Sequence, residues 1–372
     1  MKLFECQHCG QPLYFENTRC ESCGHRLGYL AGPAKVTALE PDGRVWRALA
    51  EPRGSYRFCA NAEHDACNWL VAADGDETRC PACRHNRVIP DLSVPENLLN
   101  WRKIEVAKHR LFYALLRLNL PLTAKPQDSN GLAFDFLAEA GGGPVMTGHA
   151  GGFITINLAE ADDAERERRR HNMAEPYRTL LGHFRHEIAH YFWDKLIKDT
   201  PRLDACRKLF GDDRLDYQQA LERHYAAGPP ADWRDHYISA YASSHPWEDF
   251  AETWAHYLHM VDTLETANAF GLRVQPRVTL GADLAAKMDF DPYRASIERI
   301  VDAWLPLTFA VNSINRSMGV PDLYPFVLSP AAVMKLAFVH ACIAPIGDTG
   351  DAATLRAVSA GLRRAVGAPD QG

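Results

Sequence analysis

Three stretches of the chain repeat apolar residues every three or four positions, the period of a helix with one buried face. NLLNWRKIEVAKHRLFYALLRL, from Asn97, predicts a long amphipathic helix stopped by Pro121. Farther on, Leu181, Phe184, Ile188, Tyr191 and Phe192 line one face of a second helix, with Pro176 as its expected start. In YASSHPWEDFAETWAHYLHM, residues 241–260, the face is Trp247, Phe250, Trp254, Tyr257 and Leu258. Strict alternation appears in FITINL, residues 153–158, which with Phe134–Leu137 predicts two strands. ADDAERERRRHN, after it, is a charge run that reads as a solvated helix, and helices broken by Pro and Gly are expected beyond residue 265. The first 92 residues carry no long period, and IPDLSVPEN, with Pro90 and Pro95, reads as the linker that leaves them. The expected fold is therefore α+β, with a small module over 1–92 and a mainly helical domain with a small sheet over 96–372.

The polar faces of the second and third helices change the picture. HFRHEIAHYFWDKL contains His186, Glu187 and His190 in the pattern H-E-x-x-H. Residues four apart on a helix differ by about 40° of rotation, so both imidazoles project toward one point, as two ligands of one Zn²⁺ must. Glu187 falls beside them, placed to act as general base for a water on the metal. Trp193 and Ile197 border this stripe, which implies that it is buried, and buried imidazoles need partners. A catalytic zinc takes three protein ligands, and the third helix offers Glu248 and Glu252, four apart among aromatics. Two such carboxylates repel unless a cation lies near. Glu248 is assigned as third ligand and Glu252 as acceptor for the free N–H of a ligating histidine, with the reverse assignment open. His256 and His259 share that face as ordinary polar residues.

These segments, from HFRHEIAHYFWDKL through FGDDRLDYQQAL to ISAYASSHPWEDFAETWAHYLHM, resemble the bacterial zinc-binding metallopeptidases that carry an N-terminal zinc ribbon, a zincin family. The likeness extends from the first cysteines to about residue 345. One departure is Ala189, where such motifs often have Gly; Ala suits a helix. The resemblance implies a zincin-like peptidase domain in which an edge strand pairs with extended substrate, and FITINL is the candidate edge. A looser similarity to lethal-factor-like zincins implies more. There a Tyr seven residues before the ligand Glu stabilises the oxyanion, with a second Glu four residues after the ligand, a spacing matched by Tyr241, Glu248 and Glu252. That favours Glu248 as ligand and Tyr241 as catalytic donor, while His245 stands near enough in sequence to supply the same hydrogen bond.

The cysteines carry separate chemistry. Eight of ten fall before residue 84: Cys6, Cys9, Cys20 and Cys23, then Cys59, Cys67, Cys80 and Cys83. The first set is C-x₂-C-x₁₀-C-x₂-C, with Gly10 and Gly24 placed to turn the backbone around a metal. The second is looser but also offers four thiolates, without His64. Two structural zincs are thus expected beside one catalytic zinc. MKLFECQHCG lacks the apolar core of a signal peptide, so reduced thiolates in a cytoplasmic protein are favoured over disulfides. Cys206 and Cys342 read as small buried hydrophobes.

Charge narrows the partners. The chain of 372 residues carries a net charge of −6, and residues 1–92 hold eleven Lys/Arg against twelve Asp/Glu, so no basic footprint for nucleic acid is present. LSPAAVMKLAFVHACIAP is too short and too interrupted, by Lys335 and His340, to span a membrane. A peptide or protein substrate is expected, with the ribbons as structural or protein-docking modules. Two other readings stand beside hydrolysis of peptides: a non-catalytic zinc-organised adaptor, whose site would be closed by a fourth ligand such as His245 or His256, and a hydrolase of a non-peptide amide.

Overall fold

The computed structural model describes residues 2–139, 145, 147–162, 166, 179–277 and 284–343. They form two compact units, 1–168 and 169–372. The architecture is α+β.

In the first unit, β1 (Phe4–Glu5) and β2 (Pro12–Leu13) make a short hairpin. A five-stranded antiparallel meander follows, β3 (Arg26–Leu30), β4 (Lys35–Asp42), β5 (Val45–Ala48), β6 (Glu51–Phe58) and β7 (Leu70–Ala72), in that spatial order. An isolated bridge between Tyr29 and Trp69 brings its first and last strands together. Leu30, Leu39, Ala48 and Leu70 fill one core, packed by Trp46, Tyr56 and Phe58.

A second sheet lies in the order β10-β11-β9-β8, from β8 (Asn86–Val88), β9 (Ala133–Leu137), β10 (Gly148–Ala150) and β11 (Phe153–Asn157). Helix α1 (Pro95–Arg117) packs on it, with Phe112 edge-on to Phe134 at 6.0 Å. The helix starts inside the expected linker because Pro95 sits in its first turn, where the missing N–H costs nothing. FITINL becomes β11, but not an edge: it runs parallel to β9 on one side and pairs antiparallel with β10 on the other. Both sides of the strand are hydrogen-bonded, so the expected peptide-binding edge is corrected; among the described residues the sheet ends on β10 and β8.

The second unit is mostly helical. Its elements are α2 (Leu180–Leu196), α3 (Leu203–Phe210), α4 (Tyr217–Ala227), α5 (Trp233–His236) and α6 (Pro246–Ala269), then the hairpin of β12 (Arg273–Val274) and β13 (Ala286–Lys287), α7 (Ile297–Ser317) and α8 (Pro330–Ile343). Thr179 caps α2, its hydroxyl accepting from the Gly182 N–H at 2.9 Å. Pro176, the expected start, and most of the charge run at 161–172 lie outside the described residues.

Helices α2 and α6 lie against each other, with Phe192 stacked on Trp254 at 5.1 Å. Both rings are fully buried, each contributing roughly 2–3 kcal/mol of transfer free energy. Arg185, on α2, reaches His259 and Asp262 on α6, and Asp262 also accepts from Tyr293. Lys335 of α8 donates to Asp249 of α6 at 2.5 Å and to the His236 carbonyl at 2.8 Å. Rigid contacts on several sides thus fix how α2 and α6 face each other.

Candidate metal centre

The first turns of α6 bring Glu248 to the stripe of α2 that carries His186 and His190. One donor atom from each of the three lies within 4.8 Å of the others, and all three residues are buried. His186 Nε2 is 2.9 Å from Glu248 Oε2, and His190 Nε2 is 3.5 Å from Glu248 Oε1. The His190 ring packs against Trp247, centroids 3.8 Å apart and planes inclined by 35°.

The surrounding hydrogen bonds determine which atoms face inward. Glu252 Oε1 lies 2.7 Å from His186 Nδ1, while its Oε2 accepts from the Ser239 hydroxyl at 2.6 Å. A carboxylate only accepts, so His186 Nδ1 carries a proton, and Nε2 is the ring atom turned toward Glu248. Glu248 Oε1 accepts from the Tyr217 hydroxyl at 3.0 Å, whereas Oε2 has no hydrogen-bond donor. A nitrogen and a carboxylate oxygen 2.9 Å apart in a buried site attract only with positive charge between them, a proton on Nε2 or a metal ion in its place. The donor set therefore fits a divalent metal such as zinc.

Titration behaviour expresses the same demand. Burial alone would raise Glu248, yet the imidazoles of His190 and His186 hold it down to about 2. Glu252 is likewise held to about 2, by His186 and against burial. Burial works to lower His186, but Glu248 and Glu252 push it well above its ordinary value. Glu187 is buried nearby, and its charge adds to the effect of burial and of Glu248 in raising the phenols of Tyr217 and Tyr241.

Tyr241 stands at the start of a short 3₁₀ turn ahead of α6, its ring 5.9 Å from that of His186. His245 sits elsewhere: it caps α6, with Nδ1 accepting from the Trp247 N–H and Nε2 donating to the Leu215 carbonyl, each at 3.1 Å. Both ring nitrogens are engaged by backbone, which leaves it no donor for an oxyanion. His256 is bonded to the Tyr324 hydroxyl through Nδ1 at 2.7 Å. Neither histidine joins the three-residue donor group among the described residues. Sequence reasoning missed Tyr217 and Ser239, which lie 31 and 13 positions from the carboxylates they bond. Only the Asp216 cap, marking the start of α4, hinted that Tyr217 opens a helix.

The cysteines gather into two groups in the first unit, each with its four Sγ atoms within 4.8 Å of one another. In the first, Cys6 and Cys23 are 3.7 Å apart and Cys9 and Cys20 3.6 Å. Gly10 and Gly24 adopt φ of +75° and +76°, and their N–H groups close onto the carbonyls of Cys6 and Cys20. In the second, Cys67 and Cys80 are 3.8 Å apart, while backbone N–H groups of Cys80, Cys83 and Trp69 point at the sulfurs of Cys59, Cys80 and Cys67. Such separations match the edge of a tetrahedron of thiolates about 2.3 Å from zinc. None of the ten cysteines is in a disulfide, and Cys206 and Cys342 are both buried. His64 pairs with Glu63 at 3.2 Å, outside these groups.

Among the described residues no helix is long and apolar enough to cross a membrane. The family model described as "Putative zinc-binding metallo-peptidase" matches residues 97–342, and a zinc-ribbon domain matches residues 3–94. Similar proteins occur in Mycobacterium bovis and in two strains of Mycobacterium tuberculosis, each named only as an uncharacterized protein. Each is 43% identical over 346 residues, covering 92% of this chain and 95% of its own. No solved structure matches the chain. With that model spanning most of its length and the motif of α2 inside the match, the chain belongs to the family of zinc-binding metallo-peptidases, with a zinc-ribbon domain at its front.

Proposed function

We propose that the chain hydrolyses peptide bonds with a zinc held by His186, His190 and Glu248. The observation that carries this reading is the convergence of two imidazole nitrogens and a buried carboxylate, one imidazole oriented by Glu252. When bound there, zinc supplies Lewis acidity, bringing the pKa of a water to about 7 and polarising a carbonyl oxygen. Glu187 takes the proton of the attacking water and returns it to the leaving amine. Tyr241, kept protonated by burial, donates to the oxygen that gains charge in the transition state. Tyr217 keeps Glu248 turned with one oxygen inward.

The two cysteine groups would hold one structural zinc each, and the ribbons would stiffen the first unit or dock a protein partner. Cysteines without disulfides fit a reducing compartment such as the cytoplasm. The test is Glu187→Gln. The variant should bind one zinc at the histidine site as the wild type does and lose at least about a hundredfold in cleavage of a peptide library. Near-normal cleavage would remove Glu187 from its role, and cleavage by a His186→Ala variant without metal at that site would remove the reading itself.

A further inference from the structure

Helix α1 reaches back into the second cysteine group. His109 is buried on it, with Nε2 3.2 Å from Cys67 Sγ, 3.5 Å from Cys83 Sγ and 3.8 Å from Cys80 Sγ. Its Nδ1 lies 2.6 Å from the Glu105 carbonyl oxygen. A carbonyl only accepts, so Nδ1 carries a proton, and Nε2 meets three sulfurs with either a lone pair or a second proton. A lone pair there would bind the metal or face the lone pairs of the thiolates, whereas an N–H is a donor to them; the Nε2 contacts reach three sulfurs of a group that already offers four ligands.

The neighbouring charges point the same way. Four thiolates around a divalent ion leave a buried excess of negative charge, and the Glu105 carboxylate lies 3.5 Å from Cys83 Sγ. Lys108 is completely buried, with Nζ 2.7 Å from Glu105 Oε1 and bonded also to Asn86. A lysine without exposure persists only against compensating negative charge. Glu105 is fixed in turn by the Asn86 amide at 2.7 Å.

We propose that α1 forms the outer wall of the second cysteine site: His109 donates Nε2–H to the thiolates of Cys67 and Cys83, and Lys108 offsets the charge of Glu105 behind them. The metal is then held jointly by ribbon and helix. The ribbon is not a detachable module, because cutting near residue 95 would take Asn86 from the buried Glu105–Lys108 pair and the sulfurs from His109 Nε2. This inference rests on the zinc-ribbon reading and is independent of hydrolysis at His186.

The test uses the full chain loaded with cadmium-113, whose resonance separates four-sulfur from three-sulfur, one-nitrogen coordination. Two four-sulfur signals are expected from the cysteine sites, and a mixed signal from the second would overturn the proposal by making His109 a ligand. His109→Leu should keep both signals but lose the second to a chelator about 10–100-fold faster, with His109→Arg restoring most of the retention. An unchanged loss rate overturns the proposal. Should the leucine variant not fold, amide exchange of wild-type α1 decides. Its protection should fall when the second site is stripped of metal, and unaltered protection counts against the wall.

Discussion

At the candidate centre, two hydrogen bonds decide which atoms face one another: His186 Nδ1 to Glu252 and Tyr217 to Glu248. Tyr217→Phe removes only a hydroxyl, so Glu248 can rotate and present either oxygen or both. Metal affinity at His186, His190 and Glu248 should fall by about 10–100-fold, as is typical for a lost supporting hydrogen bond, read by competition with a chelator of known affinity. An affinity equal to that of the wild type would show that packing alone fixes Glu248. The pair of histidines was legible in the sequence because helical geometry converts a spacing of four into a shared direction. Glu248 and Glu252 were legible for a related reason, since like charges one turn apart on an aromatic helix require a cation. Tyr217 was not, because nothing in local spacing joins the first residue of α4 to the first turn of α6.

At the scale of elements, α2 is the part on which the centre depends, and its N-terminus hangs on one cap. Thr179→Ala leaves the Gly182 N–H without its side-chain acceptor and should cost about 1 kcal/mol. In a unit of this size that lowers the thermal midpoint by about 2–4 °C, which calorimetry would detect, while metal content at the histidines stays unchanged. A midpoint within error of wild type would mean that packing of Phe184 and Phe192 holds the first turn without help. Long helices were legible because their apolar period repeats several times, as in α1, α2 and α6. Strand neighbours were not: FITINL announces alternation, but alternation does not say what lies on either side. The three residues of β10, Gly148 to Ala150, carry no pattern that would have revealed the partner closing that edge.

Across the whole molecule, apolar periodicity disclosed the α+β class and cysteine spacing the zinc-ribbon region, because thiolate spacing is a covalent property of the chain. The polar cluster of α1 was hidden by its own amphipathic pattern, which gave no reason to bury Glu105, Lys108 and His109 as well as Trp101 and Leu111. Buried ionisable groups also give the fold a pH limit. Burial lowers His256 to about 4 despite the opposing charge of Glu252, lowers His149 to about 4 with help from Lys125, and lowers His85 to about 3 with help from Arg84 and Lys108. Each folded value lies below that of an unfolded histidine, so the unfolded chain binds protons that the folded chain refuses. The stabilisation is complete above about pH 6.5 and is lost as pH falls from there toward 4; for His256 it totals about 3 kcal/mol. The three lie in both units, so these contributions are not confined to the candidate centre. Asp249, raised to about 7 chiefly by burial, works in the opposite sense over the same window, so urea midpoints at pH 7, 6 and 5 are read as a difference between wild type and a variant. In His256→Gln, where an amide can still bond the Tyr324 hydroxyl without titrating, the second unit should show a visibly flatter decline. A variant curve parallel to wild type over that range would mean that His256 is charged in the folded protein, and its burial against Tyr324 would then need another explanation.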